Sequence, residues 1–115
     1  MTQPTIDPAT FEALQEAAGA EFVRELMDTF LTEAPLMLAD LRSALAANDA
    51  DRFRRAAHSL KSNSMTFGAL TLGAMARALE LGGLDPVRQA NGKPVDDLAG
   101  EYTRVAQALA ELKRA

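Results

Sequence analysis

From residue 23 to residue 45 apolar side chains return every three or four positions: Val23, Met27, Phe30, Ala34, Leu38, Leu41 and Leu45. An α-helix turns about 100° per residue, so this spacing lays them along one stripe, whereas a strand would divide them between two faces. A stripe of that length commits the segment to a helix that buries one side against other helices. Pro35 interrupts the sequence without shifting the phase of the stripe. That predicts one bent helix over about 20–47, short of one hydrogen bond at the proline, in preference to a true break before it.

The flanking segments follow the same rule. Asp7 before Pro8 is a start signal, because Asp caps and Pro suits the first helical position. It predicts a short helix over about 8–17, with Phe11 and Leu14 inward and Gly19 at its end. "NDAD" at 48–51 marks a turn, and Asp49 or Asp51 starts a helix running to about Met65 with Phe53, Ala57, Leu60 and Ser64 on its core face. Gly68 breaks or bends the chain, and Leu72, Met75, Ala76 and Leu79 form the next stripe. Residues 81–94 contain Gly82, Gly83, Pro86, Gly92 and Pro94, show no periodicity and read as loop. Val95, Leu98, Tyr102, Val105, Leu109 and Leu112 predict a last helix over about 95–113. The expected fold is all-α: a single domain, an antiparallel four-helix bundle with a short additional N-terminal helix capping one end.

The 115 residues suffice for one domain, and aromatics make up only 5% of them, which suits helices better than sheets. A net charge of -4 and a pI near 4.9 argue against nucleic acid and anionic membrane as partners. The absence of Cys excludes disulfides, thiolate metal sites and Cys nucleophiles. No apolar run is long enough to span a membrane, and "MTQPTIDPAT" has neither the basic nor the apolar region of a secretion signal. The expectation is a cytoplasmic monomer.

The chain holds one histidine, His58, in "AAHSLKSNSMTFGA". With Phe53 as the origin, Ala57, Leu60 and Ser64 fall within about 40°, and His58 lies about 140° away, pointing to solvent. An exposed histidine that does nothing is the ordinary reading. Arg54, Arg55 and Lys61 lie within one turn of His58, however, and Ser62 beside it is small. A neutral imidazole keeps one nucleophilic nitrogen. A phosphoryl group on it brings about two negative charges, which nearby cations, Lys61 foremost, would stabilise. A metal site is the weaker reading, because no carboxylate or Cys stands three or four residues from His58.

"HSLKSNSMTFGALTLGAMARALE", His58 to Glu80, resembles the signature of histidine-containing phosphotransfer domains. The matching positions are His58, Leu60, Lys61, Ser64, Gly68, Ala69, Leu72, Leu79 and Glu80, and the upstream helix resembles the family as well. The resemblance implies that His58 is the phosphoryl acceptor, that Lys61 contacts the phosphoryl oxygens, and that Glu80 hydrogen-bonds the inner imidazole nitrogen. It implies that Gly68 lets the next helix approach closely and leaves the imidazole uncovered. Ser62 departs from the glycine usual after the Lys. Arg54, Arg55 and Lys61 would form a basic rim for docking, and Met65 and Phe67 would either add an apolar docking patch or pack into the core at the end of the helix.

The implied function is a phosphorelay intermediate, a carrier rather than an enzyme. Response-regulator receiver domains and a hybrid histidine kinase would be its partners. It would hold no cofactor of its own, Mg²⁺ being expected in the receiver. Two rivals are a module phosphorylated directly by a histidine kinase and a helical adaptor without phosphotransfer. An enzyme of small-molecule metabolism finds no support: there is no Gly-rich phosphate loop, and "GALTLGAMA" follows no strand, so it is not a dinucleotide fingerprint.

Overall fold

The structure, a computed structural model, describes residues 4–114. Six helices succeed one another along them: α1 (Pro8–Ala18), α2 (Ala20–Ala47), α3 (Ala50–Thr66), α4 (Leu70–Gly82), α5 (Leu84–Gln89) and α6 (Lys93–Arg114). Their starts and stops have local causes. The Asp7 carboxylate accepts from the Thr10 backbone N–H at 3.1 Å and from the Thr10 hydroxyl at 2.6 Å, capping α1. Gly19, at φ 90°, takes the corner into α2. Asn48 closes α2 in the left-handed conformation, and Asp49 caps α3 by accepting from the Arg52 N–H at 3.1 Å.

α2 runs unbroken through Pro35, as the phase of its stripe predicts. Val23, Met27, Phe30, Ala34, Leu38 and Leu41 are buried; Ala44, rather than half-buried Leu45, ends the buried row. Proline has no N–H to give the carbonyl one turn back, that of Leu31. The Tyr102 hydroxyl, arriving from α6, donates to that oxygen at 3.4 Å.

α3 packs most closely on α4 and α2, and α6 closes the bundle against both. Phe53, Met27, Leu41, Leu60, Leu72, Leu98 and Leu109 are fully buried where these helices meet. Each such side chain contributes about 1.5–3 kcal/mol of transfer free energy. Ser64 lies in this core with its hydroxyl donating to the Leu60 carbonyl at 2.6 Å, so no polar group is stranded there.

The segment expected as loop is not one. Leu84 to Gln89 form α5, which seals the core with Leu84 and Val87, and α6 starts at Lys93. Two buried residues three apart make a single helical turn, too little periodicity to stand out among Gly83, Pro86 and Gly92. Pro86 and Pro94 both fall in a first turn, where a missing N–H costs nothing. Among the described residues no helix is long and apolar enough to cross a membrane.

Candidate functional site

His58 projects from α3 with 55% of its side chain exposed. Its helix buries Phe53, Ala56, Ala57 and Leu60, so the same rotation that seats those residues turns position 58 outward. α4 returns alongside and brings Glu80, distant in sequence, against the ring: Nδ1 lies 2.7 Å from Glu80 Oε2. The other carboxylate oxygen, Oε1, is buried and has Lys61 Nζ at 3.2 Å. The glutamate side chain is only 14% exposed.

The hydrogen bond from His58 holds the Glu80 carboxyl below its ordinary value of 4.5, with Lys61 assisting, against a burial effect that acts in the opposite direction. Glu80 is therefore a carboxylate at neutral pH. A carboxylate accepts and cannot donate, so Nδ1 carries the hydrogen, and in the neutral imidazole the lone pair is on Nε2, across the ring. The cluster offers an oriented nucleophilic nitrogen with a cation one turn along the helix.

The other residues singled out from the sequence divide. Ser62 and Met65 are exposed on α3, on the side that carries His58. Phe67, a candidate for an exposed docking patch, is instead 3% exposed, its ring tilted 48° against that of Phe30 with centroids 5.4 Å apart. α3 ends at Thr66, and the chain turns Phe67 into the core as it leaves the helix. Gly68 does not face α4 or the imidazole. At φ 83° it abuts the N-terminal segment: a Cβ there would lie 3.0 Å from both the Asp7 carbonyl oxygen and Thr10 Cβ. The Asp7 N–H also donates to the Gly68 carbonyl at 2.8 Å, so this glycine serves the docking of α1.

The two arginines of the expected basic rim share one carboxylate of their own helix. Arg54 and Arg55 pair with Asp51 at 2.9 Å and 3.0 Å. The Arg54 hydrogen bond first, then the charge of Arg55, hold the Asp51 carboxyl below its usual range. Gly73 of α4, unremarked in the sequence, lies against α3, with a Cβ position 2.5 Å from Met65 Sδ. The available signal was an isolated glycine inside a helical pattern, which usually has a packing reason.

Among the described residues no group of three His, Asp or Glu could hold a metal ion. A groove lies between α1 and α6, walled by Ile6, Phe11, Ala108 and Leu112, and His58 does not line it.

The chain matches the Hpt domain family over residues 25–115. Its structure is similar to the crystal structure of histidine-containing phosphotransfer protein B (HptB) from Pseudomonas aeruginosa PAO1, with a TM-score of 0.83 and 26% identity over 98% of this chain and 97% of that one. No curated protein matches it. A family match over most of the length, on an all-helical fold shared with a phosphotransfer protein, shows that the chain belongs to the Hpt domain family, the histidine phosphocarriers of two-component signalling.

Proposed function

We propose that this protein is a phosphorelay intermediate whose His58 takes a phosphoryl group from the aspartyl phosphate of one receiver domain and delivers it to the aspartate of another. The observation that carries the reading is the 2.7 Å contact from His58 Nδ1 to the Glu80 carboxylate on a ring more than half exposed. In the forward step the Nε2 lone pair attacks phosphorus. The bond from phosphorus to the aspartyl oxygen breaks, and its electron pair returns to that carboxylate. Positive charge developing on the ring is stabilised through Nδ1–H by Glu80. Lys61, held by charge at a single oxygen of Glu80, has a flexible stem long enough to turn toward the arriving phosphoryl oxygens.

His58 needs no general base, since its neutral imidazole already holds a lone pair. Mg²⁺, the metal such transfers use, belongs in this reading to the receiver. A hybrid histidine kinase stands upstream, and the carrier works as a monomer in the cytoplasm.

The test is incubation with phosphorylated receivers, followed by mapping of acid-labile phosphate. Phosphate is expected on His58; His58→Gln should abolish acceptance with unchanged helical circular dichroism, and Lys61→Ala should slow it. Phosphate acquired from a histidine kinase but from no receiver would favour the directly phosphorylated module. Undiminished transfer by His58→Gln would remove the reading altogether.

A further inference from the structure

Gly73 is the fourth residue of α4, in ordinary helical backbone, where alanine has the higher helix propensity. Space explains it. A Cβ at position 73 would lie 2.5 Å from Met65 Sδ and 3.0 Å from Met65 Cγ, with the Lys61 carbonyl oxygen 3.7 Å away. The thioether of Met65 therefore fills the notch that the missing side chain leaves in α4. Met65 follows His58 by seven residues, two turns along α3 and within about 20° of the same line. It remains 45% exposed. An apolar side chain is thus both presented to solvent and anchored from beneath, on the row that carries the acceptor.

We infer that Gly73 is a specificity-determining residue for receiver docking: by seating Met65 it shapes the apolar part of the face that a receiver covers to reach His58. This rests on His58 being the acceptor. The occupant follows from continuity and size. A folded donor must bring its phosphoryl group to Nε2, and a standard interface covers about 800 Å² on each partner. Met65, only about 10 Å along the helix from His58, falls inside such a footprint. Methionine is a soft contact that adapts to its partner, and anchoring its sulfur reduces the freedom lost on docking. Gly73 touches neither His58 nor the phosphoryl group, so its effect belongs to binding and not to chemistry.

The experiment is steady-state relay from an excess of one phosphorylated receiver, through catalytic amounts of the carrier, to a second receiver at saturating concentration, so that the carrier turns over, with wild type, Gly73→Ala, Met65→Ala and the double variant as carrier. The new methyl meets the mobile end of a flexible side chain, and alanine favours the helix, so Gly73→Ala should fold with a melting temperature no lower than wild type. Its KM for the receiver should rise about three- to tenfold with kcat unchanged, through displacement of Met65. In the Met65→Ala background the same change should add nothing. An unchanged KM in Gly73→Ala, or an effect that persists without Met65, overturns the inference while leaving His58 as acceptor. A wild-type chain that accepts phosphate from no receiver overturns the acceptor reading, and this one with it.

Discussion

Glu80 meets His58 with one oxygen and Lys61 with the other, so a single carboxylate governs both the tautomer of the nucleophile and the resting place of the cation. Glu80→Ala should slow phosphoryl acceptance by about 10- to 100-fold, the range seen when a group orienting an imidazole is lost. Glu80→Gln should slow it less, because an amide oxygen still accepts from Nδ1–H; rapid-quench kinetics would measure both. The same carboxylate makes stability depend on pH. Its value is depressed in the folded chain, so its contribution is complete above 4.5 and is lost as pH falls through the folded value. Urea denaturation at neutral pH and at pH values below 4.5 should show the gap between wild type and Glu80→Gln shrinking in acid. The outward turn of His58 was legible from helical phase alone, but its contact with Glu80 came only through family resemblance, because the register of α4 against α3 brings them together. The capture of Arg54 and Arg55 could have been read, since Asp51 stands three and four residues before them, the spacing at which helical side chains meet.

Among the helices, α2 shows how one element's defect is answered by another. Pro35 withholds a hydrogen bond from the Leu31 carbonyl, and Tyr102 of α6 supplies one across the bundle. Burial raises the Tyr102 phenol above its ordinary value of 10.0, so it stays a donor at physiological pH. Tyr102→Phe should cost about 0.5–1 kcal/mol, the net worth of a hydrogen bond at the long end of the range. In a Pro35→Ala background, where the helix satisfies Leu31 itself, the same substitution should cost close to nothing. Thermal denaturation of the two single variants and the double variant would measure that coupling. The continuity of α2 was readable because its stripe keeps phase across Pro35. The reply from Tyr102 was not, since nothing local marks which carbonyl a distant hydroxyl will find. α5 escaped notice for a related reason: a six-residue helix is stabilised by what Leu84 and Val87 bury, not by a pattern of its own.

Across the whole molecule one continuous core joins all six described helices, from Phe11 in α1 to Leu109 in α6. Such a core should unfold in one step. Far-ultraviolet circular dichroism and the fluorescence of Tyr102, the chain's only tyrosine, should give coincident denaturation curves, and separated midpoints would show that α6 leaves the bundle on its own. Periodicity and capping residues determined by themselves that the chain is helical, where its long helices lie, and that His58 faces away from the core, because each of these follows from the fixed geometry of a single helix. Only the tertiary structure decided that Glu80 meets the ring, that Phe67 turns inward, that Gly68 serves α1, and that Gly73 makes room for Met65. Those depend on how far one helix slides along another and how closely it approaches, which is set by side chains on both partners at once.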